Sequence, residues 1–133
     1  MPEGTPRVRQ ILEDCQQGFA EVVLMVGNAV SSAEVYTMFD DLRFTDKGNI
    51  VTFMAEGGTH LHMHMDQIKE VRFIYRMNER GLPSYSVWFI DRAEAPALRV
   101  YLLKSEKEET NQPRHDLFMA LKEKYGETVS LGV

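Results

Sequence analysis

Val8, Ile11, Leu12 and Cys15 recur at helical spacing behind Thr5-Pro6, an N-cap hydroxyl followed by a proline at the first helical position, and Gly18 stops the run. The spacing predicts a first helix over residues 6–17. From Phe19 to Val26 the chain turns β-branched and aliphatic without a helical stripe, which reads as a buried strand closed by Gly27-Asn28. Residues 34–44 are ambiguous, and Val35, Thr37 and Phe39 alternating with Tyr36 and Met38 favour an extended segment. Asp46-Lys47-Gly48-Asn49 marks a turn, Ile50 to Met54 a strand, and Glu56-Gly57-Gly58 a second turn. His60 to Met65 then alternates with period two.

Asp66-Gln67-Ile68 reads as a short turn before a strand from Val71 to Met77, where Val71, Phe73, Tyr75 and Met77 oppose Arg72, Ile74 and Arg76. A hairpin connection at residues 78–83 leads into a strand from Ser84 to Asp91, and Ala97 to Leu103 forms another. Lys104 to Gln112 is expected as a surface loop. Asn111-Gln112-Pro113 is then expected to open a last helix with Leu117, Phe118, Leu121 and Tyr125 on one stripe, ending at Gly126. No helical stripe separates consecutive strands, so a βαβ parallel sheet is excluded. The pattern predicts one α+β domain over residues 1–133, a curved antiparallel meander sheet with N- and C-terminal helices packed on it.

Composition narrows the function classes. The 133 residues carry a net charge of −5 and no Lys/Arg block, which argues against nucleic-acid and anionic-membrane binding. Neither a signal-type apolar stretch nor a run long enough to span a bilayer is present, so the cytoplasm is the expected compartment. Cys15 is the single cysteine, ruling out an intrachain disulfide and a Cys-rich zinc site; it reads as a half-buried structural thiol. Phosphate-binding glycine loops and a Gly-x-Ser-x-Gly elbow are also missing.

His60, His62 and His64 carry the most chemical information. At i, i+2 and i+4 on a strand they share one side, about 6.8 Å apart along the chain, while Leu61, Met63 and Met65 take the other. Three readings stay open: a solvated face, contact with a flat cofactor, or a compact metal site completed by another strand. A cupin-type centre fails, because Asp66 stands where its glutamate belongs and the downstream Pro-x-Gly motif with its histidine is missing. His115, in the last helix, reads as a surface residue. Arg72 and Arg76 share one face of the following strand, and antiparallel pairing would bring them beside the histidines, where guanidinium forks suit a carboxylate ligand; a plain solvated face is the alternative.

The stretch from Gly58 to Leu103 resembles the half-repeat of the cytosolic haem-utilisation proteins, the HutX/ChuX-like carriers and the longer HemS-like proteins. The residues that carry the likeness are Leu61-His62-Met63-His64-Met65-Asp66, Val71-Arg72-Phe73, Gly81, Val87-Trp88-Phe89-Ile90-Asp91 and Leu98-Arg99-Val100-Tyr101-Leu102, then the acids from Glu106 to Glu109 and the helix from Pro113. The resemblance implies a sheet-dominated α+β fold, an intracellular haem-binding role as carrier or store in iron utilisation, and a homodimer standing in for the two halves of the longer proteins. On that basis haem is the expected cofactor and partner, with His60, His62 and His64 as candidate axial ligands and Arg72 and Arg76 as candidate propionate partners. An interaction domain that has lost haem binding is one alternative. A haem-degrading or metal-dependent enzyme is the other, weakened by the lack of an acid/base pair near the histidines.

Overall fold

The computed structural model describes residues 4–45, 49–104 and 108–131. Among the described residues two helices and nine strands follow one another as α1 (Gly4–Gln16), β1 (Glu21–Gly27), β2 (Ser32–Met38), β3 (Leu42–Phe44), β4 (Ile50–Met54), β5 (His60–His64), β6 (Ile68–Met77), β7 (Pro83–Asp91), β8 (Pro96–Leu102), α2 (Glu108–Tyr125) and β9 (Thr128–Ser130). The α+β class is as expected. The single meander is not: the strands form a six-stranded sheet in the order β2-β1-β8-β7-β6-β9 and a separate three-stranded sheet β3-β4-β5, antiparallel throughout.

The division follows from residues that leave strand geometry for the core. Between β2 and β3 the buried Phe39 enters the core, and its N–H donates to the Ala20 carbonyl at 2.7 Å. Between β5 and β6 a 3-10 turn, Met65–Gln67, buries Met65 completely. That turn moves the chain from one sheet to the other, where a two-residue hairpin would have kept the strands paired.

Both sheets and both helices share one core, joined by a line of aromatic rings. Phe53 of β4 meets Phe39 at 5.9 Å between ring centres, Phe39 meets Phe19 at 5.9 Å, Phe19 meets Phe118 of α2 at 6.2 Å, and Phe118 meets Phe73 of β6 at 6.0 Å. All five rings are buried, and each contributes about 1.5–3 kcal/mol from the apolar area it removes from water. From α1, Val8, Ile11, Leu12 and Cys15 all point into this core, so Cys15 is fully buried, deeper than expected. Burial pushes its thiol pKa up, which keeps it protonated and unreactive.

Three further expectations change. α1 starts at Gly4, so Thr5 lies inside the helix with a buried hydroxyl that makes no hydrogen bond. α2 begins at Glu108, ahead of the expected opening, and carries Pro113 within it, so residues 108–112 are helix and not loop. β9 was not expected: only Val129 is apolar in it, and it forms because β6 offers its open edge, pairing Val71 with Val129. The turn expected at 46–49 lies outside the described residues except for Asn49.

Candidate functional site

β5 lies at the edge of the small sheet and pairs with β4. Its alternation puts Met63 into the core with Leu61 half-buried, so His60, His62 and His64 all face solvent. Opposite them on β4 stand Met54, Thr52 and Ile50 in turn. Thr52 Oγ1 and His62 Nδ1 are 2.8 Å apart, which occupies one ring nitrogen and leaves Nε2 of His62 for an outside partner. The His60 and His62 rings meet edge to face with centres 6.2 Å apart. Among the described residues no group of three or more His, Cys, Asp or Glu side chains could hold a metal ion, so the row does not form a compact metal site.

The arginines lie elsewhere. Arg72 and Arg76 are exposed on the face of β6 turned away from Val71 and Phe73. β6 pairs with β7 and β9, so the pairing expected to set these arginines beside the histidine row does not occur; the buried turn at Met65 separates the two strands. The arginines share one face of β6 but are not brought beside the histidines. Arg72 Nε donates to the Glu70 carboxylate, while Arg76 lines a shallow depression of about 330 Å³ with Ser84, Ser86, Trp88 and Tyr101. Trp88 is held in place there: its indole N–H donates to Ser86 Oγ at 3.0 Å, and the Arg99 guanidinium lies 5.4 Å from its ring centre. A planar aromatic wall beside a guanidinium can accept a flat ligand bearing carboxylates.

A larger cavity, about 450 Å³, opens between the β6–β7 connection, the end of β8 and α2. Leu82, Pro83, Leu102 and Leu103 give it apolar walls, and Lys104, Arg114 and His115 add nitrogen groups. His115, expected on the surface, is half-buried here: the Tyr85 hydroxyl and His115 Nδ1 are 2.7 Å apart, and the Tyr75 and Tyr85 rings meet the imidazole edge on at 6.1 and 5.6 Å. Burial, with the neighbouring Tyr75, raises the Tyr85 pKa against the lowering effect of Arg114, so its phenol keeps its proton. A single helical histidine carries no motif in the sequence. The findable signal was Tyr75 and Tyr85 on the apolar face of neighbouring strands, because buried tyrosine hydroxyls take a hydrogen-bond partner.

A family profile matches residues 10–129 of this chain. The chain belongs to the HutX/ChuX-like family. Solved structures with the ChuX fold agree with the architecture above. A protein of Agrobacterium tumefaciens superposes with a TM-score of 0.70 at 19% identity, covering 93% of this chain and 73% of the other. ChuX, a haem-binding protein, gives 0.66 at 15% identity over 92% of this chain and 76% of its own. The Escherichia coli haem oxygenase ChuS gives 0.68 at 16% identity over 88% of this chain but only 35% of ChuS, so this member of the HutX/ChuX-like family spans about a third of that protein. No curated protein matches this HutX/ChuX-like chain by sequence.

Proposed function

We propose that this HutX/ChuX-like chain binds haem without turning it over, as an intracellular carrier or store in iron utilisation. The observation that carries the reading is the row of three solvent-facing imidazoles on one edge strand, in a fold shared with haem-binding proteins. Imidazole nitrogen is a common axial ligand of haem iron, and both His62 and its neighbours His60 and His64 lie open to an approaching plate. Arg72 and Arg76 are the candidates for pairing haem propionates, Arg76 with Trp88 and Tyr101 beside it as aromatic surfaces. When bound, haem supplies an iron centre that an imidazole of the row can ligate, whereas Arg72 and Arg76 stand on the other sheet and offer guanidinium groups to a ligand's carboxylates at a separate surface.

A hemin titration followed at the Soret band tests this. The expected result is a saturable, stoichiometric shift, changed in position or affinity in His62→Ala or His64→Ala. A non-saturating response equal to that of an unrelated control protein of similar pI would leave an interaction domain without haem. Loss of the Soret band on adding reductant would instead favour a haem-degrading enzyme, the activity of ChuS.

The same reading includes a homodimer. At its β1–β2 end the six-stranded sheet turns Val23, Met25, Tyr36 and Met38 away from the helices, and Tyr36 and Met38 are 65% and 44% exposed in the single chain. A largely apolar patch of this kind, apart from the Arg76–Trp88 depression, favours a covering partner. Sedimentation equilibrium should show a dimer at micromolar concentration, weakened by Tyr36→Glu; a monomer across that range would refute it.

A further inference from the structure

The cavity against α2 differs in kind from the histidine row. It is enclosed on one side by apolar side chains, whereas the row stands on an open strand edge, and a porphyrin is a large apolar plate whose transfer from water is driven by walls of that kind. His115 is the imidazole on this cavity, and its two nitrogens are not equivalent. Nδ1 lies 2.7 Å from the Tyr85 hydroxyl oxygen, and in the tautomer whose Nδ1–H donates to that oxygen Nε2 carries the lone pair for a metal centre. A histidine ligand whose other ring nitrogen is fixed by a hydrogen bond is oriented and tuned by that bond. The phenol that fixes it is itself packed, with its ring 5.1 Å from that of Tyr75 and 5.3 Å from that of Phe118, so the imidazole is positioned by the core and not by solvent.

We infer that the cavity between the β6–β7 connection and α2 is a haem-class binding locus separate from the histidine row, with His115 as its iron-ligating residue and Tyr85 as the residue that positions His115. The volume of about 450 Å³ lies in the range of small-molecule sites, and the exposed rim at Leu82 and Lys104 lets a porphyrin enter by one edge with the remainder projecting. This inference rests on the haem-binding reading above, and it adds to the row a second iron-ligating residue, one that the sequence pattern placed on the surface.

The test uses the full chain carrying His60→Ala, His62→Ala and His64→Ala together, so that the row contributes nothing. Hemin titration, Soret absorbance and low-temperature electron paramagnetic resonance are then compared with and without His115→Ala, with far-UV circular dichroism checking that each variant is folded. The expected result is that the triple variant still binds one hemin with a histidine-type spectrum, and that adding His115→Ala removes it. Tyr85→Phe should retain the stoichiometry, shift the Soret band and lower affinity about tenfold, as loss of a ligand-orienting hydrogen bond does. A triple variant that binds no hemin while the parent chain binds it would overturn the cavity assignment and keep the haem reading. Identical spectra and affinity with and without His115→Ala would overturn it equally. If the parent chain itself binds no hemin, the haem reading falls and the cavity assignment with it.

Discussion

Arg114→Leu removes a buried charge that ties α2 to the start of β1. The side chain is 5% exposed, and its Nη1 donates to the Phe19 carbonyl at 3.0 Å and the Glu21 carbonyl at 2.8 Å, while Nη2 reaches Asn111 Oδ1 at 3.3 Å. Hydrogen bonds from a charged donor contribute about 1.5–3 kcal/mol each. The two carbonyls differ in what they lose. Glu21 O also accepts the Leu103 N–H at 3.0 Å and keeps a partner, whereas Phe19 O has no other donor among the described residues and bears the desolvation cost of about 1–3 kcal/mol. Burial opposes the charge and lowers the Arg114 pKa, so a leucine recovers part of the loss. The net expectation is a destabilisation of about 2–4 kcal/mol, large against the roughly 5–15 kcal/mol that stabilises a typical domain. Urea unfolding followed by far-UV circular dichroism measures it, with the slope against denaturant unchanged. Arg114→Lys should recover only part of the loss, because an ammonium can replace Nη1 at the two carbonyls but not the second nitrogen that reaches Asn111 Oδ1. A loss below about 1 kcal/mol for Arg114→Leu would show that the carbonyls are satisfied by water and that the tie is not structural.

Gly27→Ala should cost about 2 kcal/mol or more. Gly27 has φ +109°, and a Cβ there would lie 2.3 Å from Ser31 O and 2.6 Å from Ser32 Cα, so left-handed strain adds to a backbone clash in the β1–β2 hairpin; an unchanged thermal midpoint would contradict the geometry. Asp14 sets an acid-side dependence. Burial pushes its carboxyl pKa up, but hydrogen bonds from the Tyr125 hydroxyl at 2.5 Å and Lys124 Nζ at 2.9 Å, with the lysine charge, outweigh it and leave the pKa below the ordinary 3.8. A carboxyl depressed in the folded state stabilises above its unfolded pKa, and that contribution is lost as pH falls from 3.8 through the folded value. Unfolding free energies measured between pH 5 and 3 should therefore fall less steeply in Asp14→Asn than in the parent chain, and equal slopes would refute it.

Strand existence was legible because period-two alternation is a local property: β4 and β5 run as the pattern indicates, and the histidines face solvent because Met63 and Leu61 claim the core. Sheet membership was not legible, since it depends on where the chain goes between strands. Asp66-Gln67 looks like a turn in either case, and only the burial of Met65 makes it a crossing between sheets instead of a hairpin. That one residue separates Arg72 and Arg76 from the row they were expected to join. β9 escaped for the same reason, as its three residues hold by the edge that β6 leaves open. The start of α2 was misplaced because Pro113 is a strong opening signal at the first helical position, yet the helix runs through it from Glu108.

On the proposed haem-binding reading, the placement of the imidazoles bears on whether bound haem would be passed on or consumed. Oxidative breakdown of a bound plate needs a pocket that excludes water from the reacting iron and groups that deliver protons in sequence. The row on β5 offers neither: its three rings are exposed, and the hydroxyl bonded to one of them, on Thr52, is an ordinary alcohol. The cavity at His115 does enclose an imidazole, but the phenol beside it has its pKa raised by burial, which makes it a fixed hydrogen-bond partner and a poor proton source near neutral pH. Were haem ligated by the row, as proposed, a plate bound at a strand edge would leave its other face accessible to a partner. The reductant-dependent Soret measurement separates the proposed binding and transfer from turnover directly.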